Sequence, residues 1–223
     1  MLTDAQQEQI RQGASLWNLS LDSLALDRFS RFTSLIEEAN REFNLTRIPL
    51  EEMPTLHFLD SLALAAALTP HSGARLLDIG TGAGFPGLPL AIAYPELRVT
   101  LLDGTRKRLA FLDSAISSLG LTNVVTLHGR AEDLARQKAH QAAYPLITAR
   151  AVSKMPLLAA WMLPLLAPTG TAVAYKSHDI DQELEESRTT LAALNGKIDR
   201  IVEVALPNTE ITRKLVLLKR AQR

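Results

Sequence analysis

Glycine occurs at every second position of one short segment, directly after an apolar run that ends at Ile79: these are Gly80, Gly82 and Gly84. Glycine accepts the backbone angles of a sharp turn, and it lets a ligand approach the backbone more closely than any side chain allows. Asp78, two residues before the first glycine, adds a carboxylate that can receive a cationic or hydroxyl-bearing group. This combination predicts a nucleotide-cofactor site at the end of a buried strand, with S-adenosylmethionine favoured over a phosphate-bearing ligand.

Two other interpretations of these glycines remain open. Gly82, Gly84 and Gly87 match the dinucleotide fingerprint G-x-G-x-x-G, which keeps an NAD-dependent dehydrogenase as an alternative. In that fingerprint the first glycine directly ends the strand, whereas here Gly80 takes that position and the match begins two residues late. The glycines could also form a strand-to-helix turn that binds no ligand. A P-loop is excluded, because no Gly-Lys-Ser/Thr follows.

Further polar residues follow the later strands of the predicted sheet. Asp103 ends the second strand, where a carboxylate can accept the ribose hydroxyls of an adenosine; an acid in a surface turn is the alternative. The third strand leads into 129–133, a segment suited to binding adenine. Arg150 and Lys176 follow the fourth and fifth strands. Because ligands bind at the carboxyl ends of strands in open α/β sheets, we expect these residues to share one cleft.

The elements that position these residues alternate between short apolar strands and helices from residue 75 onward. That alternation predicts an α/β fold with a mostly parallel, seven-stranded sheet. The last two strands are joined by 206–210 with no helix between them, so one of them is expected to be antiparallel, as in a Rossmann-like class I S-adenosylmethionine-dependent methyltransferase rather than a dehydrogenase. The strands are predicted at 75–79, 98–102, 123–127, 145–149, 170–175, 198–205 and 213–219, and the helices near 87–93, 106–119, 153–166 and 180–193.

The first part of the chain shows a different pattern of apolar residues. Apolar residues between Leu16 and Phe43 recur largely at helical spacing, so this part is predicted to consist of helices. We therefore divide the chain into an N-terminal helical extension, 1–70, and a methyltransferase domain, 71–223.

A third helix of the extension is expected over 55–68, and it carries His57 and Asp60 on one face, about one turn apart. A lone pair of this kind is most often a structural hydrogen bond. A metal or catalytic role would need further ligands that the sequence does not offer, so no metal is predicted and the role of the pair stays open.

The composition of the chain excludes further kinds of site and mechanism. The chain has 223 residues, no cysteine and 24 basic against 24 acidic side chains. The lack of cysteine excludes disulfides, thiolate zinc sites, iron–sulfur clusters and thiol nucleophiles. Residues 1–74 carry 5 Lys or Arg against 10 Asp or Glu, whereas 75–223 carry 19 against 14, which allows a local phosphate-binding face or an ordinary solvated surface. No apolar run reaches the ~18 residues of a membrane span, so we expect a soluble, cytoplasmic protein. No obvious exposed apolar stripe demands a dimer, so we expect a monomer.

The segment 77–90, with its glycines and two prolines, resembles the RsmG (GidB) family of bacterial methyltransferases. Members place a methyl group on N7 of one guanine in 16S rRNA, the RNA of the small ribosomal subunit. The resemblance thus implies S-adenosylmethionine as the cofactor and small-subunit rRNA or a ribosomal precursor particle as the partner. Supporting motifs extend it from about residue 16 to the C-terminus: Phe43-Asn44-Leu45-Thr46, His57-Phe58-Leu59-Asp60-Ser61, Leu101-Leu102-Asp103, Lys107-Arg108, Phe111-Leu112, Arg130-Ala131-Glu132 and Ala149-Arg150-Ala151.

The resemblance also implies roles for individual residues. Arg150 and Lys176 are expected to orient the cofactor and the RNA at the reacting atoms, and the planar guanidinium of Arg150 suits a carboxylate or a phosphate. A plain salt bridge is the alternative for Arg150. The implied cofactor contacts are Gly80, Phe85, Asp103, Ala131, Glu132 and Arg150.

The predicted RNA side of the cleft has two parts. The turn that contains Asn44 and Thr46 is placed there, together with Lys176, by the resemblance. Cations also open the helix just past the second strand, and such a run is usually a solvated face. We nevertheless expect an RNA phosphate contact from at least one of Arg106, Lys107 and Arg108.

The residues that are missing agree with methylation at guanine N7. That nitrogen carries a lone pair at neutral pH, so in-line attack on a methyl group needs no general base, only correct positioning. Methylation of an exocyclic amine would call for Asp/Asn-Pro-Pro-aromatic after the fourth strand, where 149–152 reads Ala-Arg-Ala-Val, and carbon methylation would call for a cysteine. A small-molecule methyltransferase, a dehydrogenase and a non-enzymatic RNA-binding module remain the alternatives.

Overall fold

The computed structural model describes residues 1–177 and 179–221, and the centre of this part is a seven-stranded sheet. The strands are β1 (Arg75–Ile79), β2 (Arg98–Asp103), β3 (Val124–His128), β4 (Tyr144–Arg150), β5 (Leu166–Lys176), β6 (Gly196–Ala205) and β7 (Thr212–Arg220). Their order is β3-β2-β1-β4-β5-β7-β6, and β7 runs antiparallel to both of its neighbours while the other pairs are parallel. The predicted sheet with an antiparallel C-terminal strand is confirmed.

The fifth strand begins four residues earlier than predicted. Residues up to 166 were expected to be helical and the fifth strand was expected from 170, but β5 starts at Leu166. Leu166 pairs with Tyr144, and the register then shifts before Thr171 pairs with Leu146. A proline and a glycine in this stretch are typical of a turn, and only the pairing with β4 shows that the chain is already extended there.

Helices cover both faces of the sheet. They are α1 (Asp4–Ser15), α2 (Ser23–Glu42), a π-helix (Pro54–Leu59), α3 (Asp60–Leu62), α4 (Leu64–Ala67), α5 (Gly87–Ala93), α6 (Arg106–Ser118), α7 (Ala131–Leu134), α8 (Met155–Leu165) and α9 (Asp181–Ala193). The single helix predicted over 55–68 is wrong in its winding, because the chain forms a π-helix there before two short α-helical segments. Wide turns of this kind are frequent at functional sites.

The helical extension packs directly on the sheet. Phe29, Phe32 and Phe58 are fully buried and belong to the same apolar cluster as Val99 and Leu101 of β2. The rings of Phe29 and Phe58 lie 4.8 Å apart between centroids, close enough to add aromatic contact to the burial of apolar area. The extension is therefore joined to the sheet by a shared apolar cluster. The division of the chain at residue 70 stays a prediction.

A second apolar cluster covers the opposite face of the sheet, where α8 and α9 pack against β4, β5 and β7. This cluster holds α8 and α9 against the sheet. These are the helices that follow β4, which ends at Arg150, and β5, which ends at Lys176. Among the described residues, no helix combines the length and the apolar character that crossing a membrane requires.

Candidate active site

The glycine turn after β1 adopts the backbone conformation that its sequence predicts. Gly80, Gly82 and Gly84 have φ angles of 66°, 59° and 101°, a region that strongly favours glycine. The backbone N–H groups of Gly80 and Thr81 both donate to the carbonyl oxygen of Leu102, at 2.8 and 3.0 Å, and so tie the turn to β2. Apart from the two chain neighbours of Gly82, no atom of the described residues would lie nearer than 3.9 Å to a Cβ atom at this position. The turn therefore borders open space that a ligand can fill.

Asp78 lies beneath this turn and is fully buried. Its carboxylate accepts from the N–H of Gly87 at 3.0 Å and from the hydroxyl of Thr148 at 2.8 Å, which fastens α5 and β4 to β1. Burial raises the pKa of Asp78 to about 6, because the charged form loses its hydration. Asp78 thus supports the turn from behind, and its contact with a cofactor remains a prediction.

Asp103 lies at the end of β2, directly beside the turn. Its two carboxylate oxygens accept from the N–H groups of Gly82 at 3.0 Å and Thr105 at 2.8 Å. The guanidinium of Arg108 approaches to 3.6 Å. These contacts orient the carboxylate toward the glycine turn, as the predicted ribose site requires.

A cleft of about 80 Å³ brings several predicted cofactor residues together at the ends of β1, β2 and β3. Val152 and Trp161 complete its wall, and neither was predicted from the sequence. Val152 also packs over the turn, since a Cβ atom on Gly80 would come within 2.8 Å of its side chain. The predicted residues that line the cleft are Gly80, Asp103, Ala131 and Glu132.

Arg150 lies on the other side of the turn, at the end of β4. Its Nη1 atom donates to Asp60 Oδ2 at 2.9 Å and to the carbonyl oxygen of Leu56 at 3.2 Å. The guanidinium carbon is 5.2 Å from the centre of the Phe85 ring, within the range of a cation–π contact. The arginine is therefore held against the glycine turn by the helical extension.

His57 connects Arg150 with the predicted RNA side. Its ring stacks on Phe85, with 4.0 Å between centroids and 2° between planes. The Nη2 atom of Arg150 is 3.1 Å from His57 Nδ1, and His57 Nε2 is 2.7 Å from the hydroxyl oxygen of Thr46. Because guanidinium groups only donate hydrogen bonds, Nδ1 accepts and the ring proton belongs on Nε2, which donates to Thr46. Burial and, secondarily, the positive charge of Arg150 lower the pKa of His57 to about 3, so the ring is neutral.

The turn that contains Thr46 is held by a residue that the sequence reasoning missed. The side-chain oxygen of Asn40 accepts from the N–H groups of Leu45 at 2.8 Å and Thr46 at 3.0 Å, and its amide donates to the Thr46 carbonyl at 2.9 Å. Asn44 itself is exposed. An asparagine in the last turn of a helix, just before a break in the helical pattern, is a weak signal that would have pointed to this role.

A larger cavity of about 390 Å³ opens next to Arg150 and across the carboxyl end of β5. Lys176 lines this cavity. Its ammonium forms an ion pair with Glu183 Oε2 at 2.6 Å and donates a hydrogen bond to the carbonyl oxygen of Ser153 at 3.1 Å. Arg213 reaches the same cavity from β7 and binds Asp60 Oδ1 at 2.8 Å. The structure therefore brings Arg150 and Lys176 together, while Glu183 and Arg213 were not predicted from the sequence.

Asp60 and His57 do not form the simple pair that their spacing suggests. Each contacts Arg150, and Asp60 also accepts from Arg213, 153 positions along the chain. Among the residues that the structure describes, no group of three or more His, Cys, Asp or Glu side chains is arranged to hold a metal. Both residues therefore hold arginine side chains in place: His57 contacts Arg150, and Asp60 contacts Arg150 and Arg213.

The predicted cation run lies at the start of α6, beside the helical extension. Arg106 and Lys107 are exposed, and the Lys107 ammonium lies 4.2 Å from the centre of the Phe43 ring. Arg108 is directed toward Asp103 instead. Two of the three cations are thus free to meet solvent or a ligand near the end of α2.

Comparisons with known proteins agree with the fold and with the motifs. The family model described as GidB, rRNA small subunit methyltransferase G, matches residues 25–213. A Lachnoclostridium phytofermentans protein named Ribosomal RNA small subunit methyltransferase G is 40% identical over 212 residues, which cover 95% of this chain and 88% of the relative. A Thermoanaerobacter protein of the same name is 36% identical over 214 residues, 96% of this chain and 89% of the relative.

Solved structures show the same fold at low sequence identity. A SAM dependent methyltransferase from Aquifex aeolicus has a TM-score of 0.57 and 16% identity, with 83% of this chain and 97% of that chain covered. A variant of MtNAS has a TM-score of 0.60 and 16% identity, with 98% and 87% covered. The Rossmann-like methyltransferase fold is confirmed, and so is the resemblance carried by the glycine motif. The chain belongs to the GidB family, that of rRNA small subunit methyltransferase G.

Proposed function

We propose that the protein transfers a methyl group from S-adenosylmethionine to N7 of a guanine in 16S rRNA, presented as small-subunit rRNA or as a ribosomal precursor particle. The observation that carries this proposal is the glycine turn with an open face at Gly82, which has Asp103 on one side and Arg150 on the other. The names of the relatives support the substrate class. Membership of the family supports N7 as the acceptor atom.

The residues around the turn fit the parts of this cofactor. Asp103 suits the ribose hydroxyls, and Ala131 and Glu132 border the cleft where adenine would lie. The methionine part of the cofactor would lie against Gly80, Gly82 and Phe85. Asp78 would support the turn from behind, and the guanidinium of Arg150 would bind the methionine carboxylate. When bound, S-adenosylmethionine supplies a methyl group on a positively charged sulfur, which a nucleophile with a free lone pair can attack.

The protein's own contribution to the reaction is positioning. Because guanine N7 needs no general base, the residues must bring the base and the methyl donor into line at short distance, which is where most of the rate gain would arise. His57 fits this requirement, since it is neutral and holds Arg150 instead of moving a proton. Arg150 and Lys176 face the larger cavity and would orient the cofactor and the target base.

The RNA backbone would lie along the extension and the start of α6. Asn44 is exposed and Thr46 is held by Asn40 and His57, so this turn presents a fixed shape. At least one of Arg106, Lys107 and Arg108 would contact RNA phosphates, and such contacts attract RNA without reading its sequence. Arg106 and Lys107 are the better placed, because they are exposed whereas Arg108 is directed toward Asp103. We place the protein in the cytoplasm as a monomer, where immature small subunits are available.

The proposal is tested by transfer of labelled methyl groups. Purified protein is incubated with tritiated S-adenosylmethionine and either small ribosomal subunits or naked 16S rRNA, both from cells that lack the protein. We expect label in the RNA, recovered after digestion as 7-methylguanosine. Variants Arg150→Ala and Lys176→Ala should lose at least about a hundredfold in rate, because small misplacements are costly. The exposed Arg136→Ala and Lys138→Ala serve as matched controls.

A different result would identify a different class of protein. Thermal shift with S-adenosylmethionine and NAD, measured side by side, separates a methyltransferase from a dehydrogenase, because a ligand that binds the folded state raises the melting temperature. Stabilisation by S-adenosylmethionine without any label in either RNA would contradict the RNA substrate and favour a small-molecule methyltransferase.

A further inference from the structure

The ion pair between Lys176 and Glu183 lies on the wall of the larger cavity, and the proposed reaction assigns no role to Glu183. Lys176 ends β5, and Glu183 lies in the first turn of α9. The Glu183 Oε2 atom lies 2.6 Å from Lys176 Nζ and accepts from the N–H of Met155 at 3.0 Å. Lys176 also donates to the Ser153 carbonyl at 3.1 Å. These contacts hold both side chains in one arrangement.

Within the part of the chain that the structure describes, each member of the pair keeps one hydrogen-bonding position without a partner. An ammonium has three N–H donors, and two of those of Lys176 are directed to Glu183 and Ser153. Both contacts of Glu183 use Oε2, and across residues 1–177 and 179–221 no hydrogen bond reaches its Oε1 atom. Partial burial raises the pKa of Glu183, but the hydrogen bonds from Lys176 and Met155 and the positive charges of Lys176 and Lys154 together outweigh it and lower the pKa. The cavity therefore presents one free donor beside one free anionic acceptor.

This pattern complements one edge of guanine. Guanine carries an acceptor, O6, next to two donors, the N1 proton and the 2-amino group, whereas adenine carries a donor where guanine has O6 and an acceptor at N1. We propose that Lys176 and Glu183 select guanine by reading this edge, with Lys176 donating to O6 and Glu183 Oε1 accepting from the N1 proton and the 2-amino group. The inference rests on the proposed function and names how its substrate base is recognised.

The position of the pair agrees with the geometry of the reaction. In guanine, N7 is next to O6 and far from the 2-amino group, so a base read in this way directs N7 to the Lys176 side. Arg150 lines the same cavity, and it is paired in the sheet with Tyr175, the neighbour of Lys176. Apolar side chains of Ile48, Leu56 and Ile180 also line the cavity and can cover the faces of the base. A base that enters such a pocket must leave its stack in the RNA.

The test compares guanosine with inosine at the target position. Inosine keeps N7, O6 and the N1 proton but lacks the 2-amino group, and it is introduced into 16S rRNA by splinted ligation before the small subunit is reconstituted. We expect the wild-type protein to prefer guanosine by roughly 10-fold or more, the worth of one hydrogen bond to a charged partner. In Glu183→Ala the preference should fall close to one, and Glu183→Gln should lie between the two. Glu185→Ala, which removes an exposed carboxylate of the same helix, should keep the wild-type preference.

Each remaining outcome decides between the explanations. Equal loss of rate on both RNAs in Glu183→Ala, with the preference unchanged, would show that Glu183 merely positions Lys176. Equal rates on both RNAs with the wild-type protein would also overturn the inference, while the absence of methylation on either would refute the proposed function instead. Competitive binding of the two RNAs measures the same preference in variants too slow to assay. Circular dichroism shows whether each variant is folded.

Discussion

Replacing His57 with asparagine should change how the stability of the protein depends on pH. In the folded protein the pKa of His57 is lowered from 6.5 to about 3 by burial and by Arg150, whereas in the unfolded chain the ring titrates with its ordinary pKa. Between these values only the unfolded chain binds the proton, so His57 contributes stability that is present above pH 6.5 and is lost as the pH falls. Asparagine keeps an acceptor for Arg150 but does not titrate.

The magnitude follows from the two pKa values. Integrating proton binding from pH 7.5 down to pH 5, where the folded ring is still neutral, gives a loss of about 2 kcal/mol for the wild-type protein. The variant lacks this pH-dependent contribution to stability, because asparagine does not titrate. The difference in the free energy of unfolding between wild type and His57→Asn should therefore shrink by roughly 2 kcal/mol over that range, and it should be constant above pH 7.5.

The difference must be measured, because the wild-type curve alone contains an opposing contribution. Burial raises the pKa of Asp78 from 3.8 to about 6, so the folded protein binds this proton more tightly than the unfolded chain does. That contribution to stability is fully present below pH 3.8 and is lost as the pH rises through 6. It is common to wild type and variant, and it cancels when one is subtracted from the other.

The assay is urea unfolding at four or five pH values between 5 and 8.5. His71→Asn removes an exposed histidine, and we expect its difference from wild type to be flat across the range. A difference for His57→Asn that is equally flat would refute the reasoning, because it would mean that the folded protein binds a proton at His57 as readily as the unfolded chain. The buried contacts of His57 with Arg150 and Thr46 would then need another explanation.

Three further substitutions test the rest of the site. Asp103→Ala should weaken S-adenosylmethionine binding by about 1.5–3 kcal/mol in calorimetry, through loss of a charged hydrogen-bond acceptor, and an unchanged affinity would contradict the ribose assignment. Gly82→Val should abolish binding while the circular dichroism spectrum is retained, because its φ of 59° is unfavourable for valine and the new side chain enters the open cleft. Retained binding would place the ligand elsewhere. Asp60→Ala should lower the free energy of unfolding by about 3 kcal/mol, since the mostly buried Arg150 and Arg213 lose their carboxylate; a cost below about 1 kcal/mol would show that solvent screens the pair.

The sheet was predictable because its signals are local. Each parallel strand is a short apolar run with its own turn residues, and the glycines after Ile79 require positive φ angles whatever surrounds them. The antiparallel direction of one C-terminal strand was predictable because no helical segment lies between β6 and β7 in the sequence. The start of β5 was not predictable, because the extended backbone at Leu166 depends on pairing with Tyr144 across a register shift.

The site was predictable only where residues follow strands. Asp103, Arg150 and Lys176 share one edge because parallel strands end there. Their partners come from other elements of the fold. Arg150 meets Asp60, 90 positions away in the chain, and Asp60 also meets Arg213 of β7. Lys176 of β5 meets Glu183 in the first turn of α9. The sequence offers carboxylates and cations in many places, and only the packing of the extension and of α9 against the sheet selects which of them meet.

The central claim is methylation of guanine N7 in small-subunit rRNA, and chemical cleavage of that RNA tests it most directly. A methyl group at N7 puts a fixed positive charge on the ring, so borohydride followed by aniline cuts the RNA at the modified nucleotide. Primer extension on 16S rRNA from cells with the protein should then show one stop that is missing without it. The stop should also be missing when the protein carries Arg150→Ala or Lys176→Ala and present with the control Arg136→Ala. An identical pattern of stops in cells with and without the protein would contradict the account.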